Sequence, residues 1–166
     1  MDLYPGDVGF STIGGMVGVI PNIGQALLND ACRYSHVYIH IGGGMVLEAM
    51  PGGARIVPGA HRPGPWFRLP LSNAQRIQVP HYGETLEGLP YSFMNYPALI
   101  WHEYEWVGHK MLRSYISHSK RMICSQLVDH LLCQAGYHVF NDGRWPQDVT
   151  PGDLYYACQE QGVLLR

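Results

Sequence analysis

The residue best placed for covalent chemistry is Cys124, which stands at the start of a predicted helix. Apolar residues recur at i, i+3 and i+4 spacing from Met122 to Ala135, and Gly136 is a good helix stop. Amide N–H groups at a helix N-terminus stabilise a thiolate, and the preceding Lys120 and Arg121 act in the same direction. First-turn N–H groups can also donate to an oxyanion. The alternative is a small buried residue, because free cysteine is often buried.

The predicted base is His36, on one strand of a β-hairpin. Residues 34–41 and 45–50 alternate between residue classes on either side of three glycines, which predicts two antiparallel strands and a turn. A strand holds an imidazole rigidly, so one ring nitrogen can face a thiol while the other needs an orienting acceptor. The alternative is a partly buried strand histidine bonded to a hydroxyl.

Glu48 is the predicted orienting acceptor, and the register of the hairpin brings it to His36. If all three glycines at 42–44 form the loop, Ile41 pairs with Met45 and one face of the hairpin stays apolar. His36 and Glu48 are then diagonal neighbours on the other face, within side-chain reach. A two-residue loop mixes the two faces. The alternative for Glu48 is a solvated residue on the outer face of a strand.

Metal binding is a competing chemistry for the polar residues. One segment holds four potential ligands: His102, Glu103, Glu105 and His109. Their order differs from the H-E-x-x-H order of a metal-binding helix. His36 and His40 lie about 13 Å apart along one strand and cannot share an ion. The four cysteines include no C-x-x-C pair, so we expect no structural zinc site. Because the sequence shows no secretory signal, we expect all four thiols to be reduced. The chemistry expected of Cys124 requires neither a metal nor an organic cofactor.

The composition indicates one compact domain over residues 1–166. Of these, 46% are hydrophobic and only 14% are charged, which is enough to bury a core. The net charge is −2 and no basic patch is present, which argues against a nucleic-acid partner. The N-terminus lacks the pattern of a secretory signal, and the apolar stretch 8–23 is too rich in glycine to span a membrane. We therefore expect a protein without a membrane span that is either cytoplasmic or delivered by a route that the sequence does not encode.

The remaining sequence predicts the elements that position these residues. Their ranges are a turn and strand at 3–10, a helix at 25–33, strands at 66–71 and 76–79, and a partly helical stretch at 91–111. Residues 51–65 are rich in proline and glycine and are predicted to be loop. Thr150-Pro151-Gly152-Asp153-Leu154 is typical of a helix start or a turn. The predicted fold class is α+β, with a small, mostly antiparallel sheet packed against the Cys124 helix.

Several motifs, taken together, are similar to one known family. The segment from Tyr34 to Ile56, Tyr-Ser-His-Val-Tyr-Ile-His-Ile-Gly-Gly-Gly-Met-Val-Leu-Glu-Ala-Met-Pro-Gly-Gly-Ala-Arg-Ile, resembles the histidine-bearing hairpin of the NlpC-type peptidases, which are papain-like cysteine hydrolases. Leu3-Tyr-Pro-Gly-Asp-Val-Gly-Phe resembles the strand before that hairpin. In the common arrangement the cysteine comes first, whereas here Ile123-Cys-Ser-Gln-Leu-Val comes last. This order resembles the circularly permuted branch, which also includes lecithin-retinol acyltransferase-like proteins, and residues 88–93 and 150–154 are similar to it.

The resemblance implies a permuted papain-like fold, in which a small antiparallel sheet or barrel packs against the nucleophile helix. It implies Cys124 as nucleophile, His36 as base and Glu48 as the third, orienting residue. The expected reaction is hydrolysis of an amide or peptide bond through a thioacyl-enzyme. The expected partner is a peptide or amide substrate, such as a peptidoglycan stem peptide or an isopeptide.

Three further polar residues are weaker candidates for contacts with the substrate or the oxyanion: Tyr91, Ser35 and Ser125. The backbone N–H of Cys124 is one expected oxyanion donor, and Tyr91 is a candidate for the second. The two serines also fit a role as local hydrogen bonders.

Two other functions stay open at this point. One is a lipid acyltransferase or thioesterase, which calls for an exposed apolar anchor that the sequence does not contain. The other is a non-catalytic binding module on the same fold. The presence of both the hairpin and the cysteine helix argues against a module that has lost its chemistry.

Overall fold

In the computed structural model, strands from both ends of the chain form one antiparallel sheet. The structure describes residues 2–12, 32–59, 61–90, 122–144 and 148–165. The strands are β1 (Asp7–Ser11), β2 (His36–Gly42), β3 (Met45–Met50), β4 (Gly53–Pro58), β5 (Trp66–Arg68) and β6 (Val163–Leu165). The helices of the described part are α1 (Asn73–Thr85), α2 (Cys124–Gln134) and α3 (Pro151–Gln161). The strand order is β4-β3-β2-β1-β5-β6, and the predicted α+β class is confirmed.

The β2–β3 hairpin has the register that the alternation predicts. Tyr38 pairs with Glu48, and His40 pairs with Val46. These pairs are the ones expected if three residues separate the strands. They place Glu48 on the same face of the sheet as His36, because side chains two residues apart along a strand share a face.

The turn of this hairpin differs from the prediction in one detail. Gly42 belongs to β2 and pairs with Met45, so only Gly43 and Gly44 remain in the turn. Their φ angles are 59° and 74°, the left-handed values that a two-residue type I′ turn requires. A bulge at Ile41 absorbs the extra residue of β2. The tight turn therefore forms without mixing the two faces.

One face of the hairpin packs against the helices. Its buried side chains are those of Val37, Ile39, Ile41, Leu47 and Ala49. They join one core cluster with the apolar face of α2, which consists of Cys124, Leu127, Val128, Leu131 and Leu132. Because α2 also contacts α1 and α3, it lies at the centre of this core.

The opposite face of the sheet is buried as well. Tyr38, Val46 and Trp66 form a second cluster there. Gly9 of β1 pairs with Tyr38, and a Cβ at this glycine would lie 2.2 Å from the Tyr38 ring. Glycine thus lets the ring lie across β1. Glu48 on this face is buried, so it is not the solvated strand residue that the alternative described.

The prediction of loop throughout residues 51–65 is wrong, because Gly53–Pro58 forms β4. A tight turn at Pro51-Gly52 reverses the chain, and β4 pairs with β3 along its whole length. Ala54 is buried and Ile56 packs against the main core. Glycines and prolines lie at the two ends of this strand. They make the whole stretch look like a loop and obscure the short alternation of side chains between them.

The predicted strand at 76–79 is also wrong, because these residues lie inside α1. Ser72 caps this helix: its hydroxyl accepts the Gln75 N–H at 3.3 Å, and the Gln75 side chain accepts the Ser72 N–H at 2.8 Å. Val79 and Gly83 are buried one turn apart, as a helix requires. Of the predicted strand at 66–71, only Trp66–Arg68 is strand. The predicted helix at 25–33 lies almost entirely, and the stretch 91–111 entirely, outside the described residues.

Candidate active site

Cys124 is the first residue of α2, in the position that the sequence predicts. The residue before it, Ile123, has an extended backbone with φ −84° and ψ 171°. Isoleucine has no side-chain acceptor, so it cannot cap the helix as Ser72 and Thr150 cap α1 and α3. Because Cys124 is the first helical residue, it lies at the positive end of the helix dipole, where an anion is stabilised.

Gln126 holds the start of α2 in place. Its Oε1 accepts a hydrogen bond from the N–H of Ile123 at 3.1 Å. This is the second half of a capping box, in which the third helical residue turns back to the residue before the helix. The bond fixes the direction in which the chain enters α2, and thereby the position of Cys124.

His36 is the first residue of β2, and its imidazole is bonded to Glu48. The distance from His36 Nε2 to Glu48 Oε2 is 2.8 Å. The exposed fractions of the two residues are 3% and 1%. The two side chains thus meet in the way the hairpin register predicts, in surroundings where charges interact strongly.

The imidazole of His36 also interacts with Cys124. Burial has the largest effect and lowers the pKa of His36, but hydrogen bonding and negative charge from Cys124 and Glu48 raise that pKa to about 9. Among the described residues, the buried Nδ1 has no hydrogen bond of ordinary geometry. Since Nε2 is bonded to Glu48, Nδ1 is the nitrogen available to the thiol. Hydrogen bonds between such groups are often long or poorly aligned before a substrate binds.

The contact between Cys124 and His36 forms where their two elements begin. Along its length, α2 packs on the face of the sheet opposite to His36 and Glu48. Cys124 is the first residue of α2, and His36 is the first residue of β2. The two residues therefore meet at the N-terminal end of β2. A cysteine one turn further along α2 would lie over the apolar face, away from the imidazole.

Two arginines that the sequence analysis missed hold Glu48. Arg55 Nε donates to Glu48 Oε1 at 2.9 Å. Arg62 donates from Nη2 to Oε1 at 3.0 Å and from Nη1 to Oε2. Burial raises the pKa of Glu48, but hydrogen bonds from His36, Arg62 and Arg55 hold it well below its usual range. Glu48 is therefore a carboxylate at neutral pH.

Arg55 and Arg62 differ in how visible they are in the sequence. Arg55 is the direct partner of Glu48 in the β3–β4 pairing, so identifying β4 would have found it. Arg62 lies in the loop before β5 and stacks over the Tyr38 ring, with 5.0 Å from Cζ to the ring centroid. No periodic pattern marks a loop residue, so nothing in the sequence signals its contact.

The structure places the weaker candidates as follows. The Ser125 hydroxyl donates to the Val149 carbonyl at 2.7 Å, a bond that connects the start of α2 to the segment before α3. Ser35 is fully buried, and its N–H donates to the Ser11 carbonyl at 3.2 Å. Tyr91, Lys120 and Arg121, together with the potential metal ligands at 102–109, lie outside the described residues. Within the described ranges, no three histidine, cysteine or acidic side chains are grouped to hold a metal ion, and no helix is long and apolar enough to cross a membrane.

Comparison with known proteins identifies no family. None of the protein-family models matches the chain, and no curated protein matches it significantly. The chemistry of the site is therefore inferred from its geometry and from the motifs quoted above.

Proposed function

We propose that this protein is a cysteine hydrolase that cleaves an amide bond through a thioacyl-enzyme. The observation that supports this most strongly is the chain of interactions from Cys124 to His36 to Glu48. A thiol at a helix start, an imidazole beside it and a buried carboxylate on the far ring nitrogen are the three groups of a thiol hydrolase. In this proposal the fold is a permuted papain-like one, because the base precedes the nucleophile in the chain.

The proposed resting state is an ion pair between thiolate and imidazolium. The negative charge of Cys124 raises the pKa of His36, and the interaction is mutual, so the imidazolium favours the thiolate to the same extent. Glu48 stabilises the imidazolium through its bond to Nε2. The position of Cys124 at the start of α2 favours the thiolate independently.

In the acylation step, the Cys124 sulfur forms a bond to the carbonyl carbon of the substrate. The backbone N–H of Cys124 is the proposed donor to the resulting oxyanion. The imidazolium of His36 gives its proton to the leaving nitrogen, the C–N bond breaks and an amine departs. The products of this step are a thioester on Cys124 and a neutral imidazole on His36.

In the deacylation step, His36 takes a proton from water while the water oxygen attacks the thioester. The C–S bond breaks, the acid is released, and the thiolate–imidazolium pair is restored. Glu48 remains ionised in both steps, because two arginines and the imidazole share its charge. Its proposed role is to orient the ring and stabilise its cation, without accepting a proton.

The proposed substrate class is a peptide or another amide, such as a peptidoglycan stem peptide or an isopeptide. This part of the proposal comes from the motif resemblance. The substrate therefore has to be found by experiment.

The test is to trap the acyl-enzyme while searching for the substrate. The full chain is mixed with short peptides that contain α-, γ- and ε-linked amide bonds, quenched in acid and examined by mass spectrometry. We expect an acyl adduct on Cys124 with at least one linkage type, and release of the matching amine.

The control for this test is Cys124→Ala, in which neither the adduct nor the amine is expected. Turnover that persists in Cys124→Ala would contradict the proposal. So would loss of activity in EDTA that zinc restores, because a thiolate mechanism needs no Lewis acid. That result would instead indicate a metal site formed by His102, Glu105 and His109.

A further inference from the structure

Two buried carboxylates lie on the same face of the sheet, and an arginine holds each of them in a similar way. Glu48 and Asp7 have exposed fractions of 1% and 0%. Arg62 donates from both Nη atoms to the two oxygens of Glu48. Arg68 donates from Nε and Nη2 to the two oxygens of Asp7, at 3.2 and 2.8 Å. The two arginine side chains are 27% and 29% exposed, and each guanidinium lies over a tyrosine ring.

The two carboxylates differ in what else they bond. Asp7 also accepts the Tyr4 N–H at 2.9 Å and Nη1 of Arg76 at 3.3 Å. These bonds connect the N-terminal turn, β5 and α1, which is a structural role. Glu48 is instead bonded through Oε2 to His36 Nε2 at 2.8 Å. A shift of the Glu48 carboxylate therefore changes its contact with the proposed base, whereas a shift of Asp7 does not.

Arg55 and Arg62 hold Glu48 in different ways. Arg55 donates twice to Oε1, from Nε at 2.9 Å and from Nη2 at 2.8 Å. Arg62 donates to Oε1 at 3.0 Å and also to Oε2, the oxygen that bonds His36. The last torsion of a glutamate side chain has broad energy minima, so a carboxylate held at one oxygen can pivot. A planar fork that bonds both oxygens prevents this rotation.

Arg62 is itself held more firmly than Arg55. Its Cζ lies 5.0 Å from the centroid of the Tyr38 ring, where the ring face attracts a cation. Its carbonyl accepts Nε1 of Trp66 at 3.4 Å, and the rings of Trp66 and Tyr38 are buried against each other at 5.1 Å. The side chain of Arg55 is 52% exposed, and exposed ion pairs are weak. Arg62 is therefore the better anchored of the two partners of Glu48.

We propose that Arg62 is a positioning residue of the hydrolase. Its guanidinium fork fixes the plane of the Glu48 carboxylate, holds Oε2 against Nε2 of His36 and thereby orients the ring beside Cys124. This inference rests on the proposed function, and it assigns a role to a residue that acts through Glu48. The role depends on the fork as well as the charge, so lysine should not replace arginine here.

The first test uses no substrate and follows the titration of the His36 ring by NMR in the full chain. In the described part of the chain, the titratable and charged groups around the imidazole are Cys124, Glu48, Tyr38, Arg55 and Arg62. Arg62→Lys keeps all their charges and removes the fork. A looser bond to Glu48 favours the imidazolium less, so the pKa of His36 should fall from about 9 by about 0.5 or more. Arg68→Lys, the matched control at Asp7, should move it by less than about 0.2.

The second test measures turnover of the substrate found by acyl trapping. Arg62→Lys should lower kcat about tenfold and leave KM within about threefold, because the fork orients the base and binds no substrate. In the Glu48→Gln background, the same substitution should cost less than about a further twofold, since the carboxylate through which Arg62 acts is gone. Arg68→Lys should leave kcat within about twofold in both backgrounds.

A third measurement on the unaltered chain needs no variant to fold. Rotation of the Arg62 guanidinium, followed by NMR of its Nη groups, should be slower than that of the half-exposed Arg55. Equal rotation of the two guanidinium groups would overturn the proposal. So would an unchanged His36 titration or full kcat in Arg62→Lys, or an equal shift in Arg68→Lys. Turnover that persists in Cys124→Ala would instead contradict the hydrolase, and the titration of His36 would still report whether the fork positions Glu48.

Discussion

Two pairs of cysteine and histidine lie at opposite ends of α2, and only one has the surroundings of a nucleophile and its base. Cys124 opens the helix and interacts with His36. Cys133 lies in the last turn, with its Sγ 3.6 Å from Nδ1 of His138. The N-terminus of a helix favours an anion and the C-terminus disfavours one. A short distance between a thiol and an imidazole is therefore not enough to identify a reactive pair.

The carboxylates near the two pairs act in opposite ways. Glu48 is bonded to the far nitrogen of His36 and raises the pKa of that imidazole, which in the proposed ion pair favours the thiolate as well. The charge of Asp129 acts on the Cys133 thiol itself, and together with burial it raises the pKa of that thiol to about 11. The effect of a carboxylate thus depends on whether an imidazole stands between it and the sulfur.

The largest effect is expected from removing each pair in turn. Cys124→Ala and His36→Ala should each lower kcat/KM by about 10⁴-fold or more on the substrate found by acyl trapping. Cys133→Ala and His138→Ala should leave kcat/KM within about threefold, because neither takes part in the proposed chemistry. Circular dichroism checks that each variant is folded. Equal losses at both ends of α2 would show that the two pairs do not differ in the way described.

The next effect separates ionisation from exposure as the cause of thiol reactivity. Cys133 is partly exposed and Cys124 is buried, so exposure alone favours Cys133. If ionisation dominates, iodoacetamide at pH 6 should modify Cys124 at least about 100-fold faster than Cys133, since only the thiolate reacts. Mass spectrometry of peptides from the labelled chain locates the modified residue. Faster labelling of Cys32, Cys133 or Cys158 would remove the main support for Cys124 as nucleophile.

A smaller effect is expected at Glu48. Glu48→Gln should lower kcat/KM by about 100-fold, less than loss of the nucleophile, because the carboxylate only orients and stabilises the imidazolium. The rate should also change its pH dependence. In the unaltered chain kcat/KM should fall as pH rises through the His36 pKa of about 9. Removing a negative charge that favours the cation lowers this pKa, so the fall should begin at lower pH in Glu48→Gln. A loss as large as that of Cys124→Ala would mean that Glu48 has a direct chemical role.

The smallest effect is expected at Asp129. Burial raises the pKa of this carboxyl to about 6 in the folded chain, above the ordinary value of about 3.9. The ionised form therefore destabilises the folded state above pH 6, and the folded state gains stability by binding a proton as pH falls from about 6 to 4. Asp129→Asn should raise the free energy of unfolding at pH 7 by about 1–3 kcal/mol, with little effect at pH 4. Urea denaturation at the two pH values measures this difference, and a destabilised variant at pH 7 would contradict it.

In Asp129→Asn, the thiol of Cys133 should also become more reactive, and so more similar to the thiol of Cys124. Without the charge of Asp129, the pKa of Cys133 should fall, and its labelling at pH 8.5 should speed up several-fold, as expected from the larger thiolate fraction. The labelling rate of Cys124 should not change in Asp129→Asn. An unchanged rate at Cys133 would mean that burial alone suppresses this thiol.

The parts of the fold that the sequence predicted are those with an uninterrupted period. The hairpin register follows from alternation and from the need to keep one face apolar, and the bulge at Ile41 preserved it despite a tighter turn. The start of α3 was predicted by Thr150 and Asp153, whose side chains cap the helix in the structure. The α2 helix was predicted by its apolar stripe.

The parts that the sequence did not predict have weak or interrupted local patterns. β4 is short and bounded by proline and glycine, and α1 contains Pro80 and two β-branched residues in its middle. Arg62 reaches Glu48 from a loop, where no period exists. The approach of Cys124 to His36 spans 88 positions of the chain, and it depends on how α2 packs on the sheet. Spacing within a segment contains no information about such packing.

The bonds to Glu48 also have a consequence for the order of folding. Every described hydrogen-bond partner of this carboxylate lies within 14 residues of it along the chain. The hairpin, β4 and the Arg62 loop can therefore assemble around the buried charge with little loss of chain entropy. Cys124 can join only after a much longer loop closes. We therefore expect a chain growing from the N-terminus to bring His36 and Glu48 together first, and Cys124 to meet them in one of the last steps of folding.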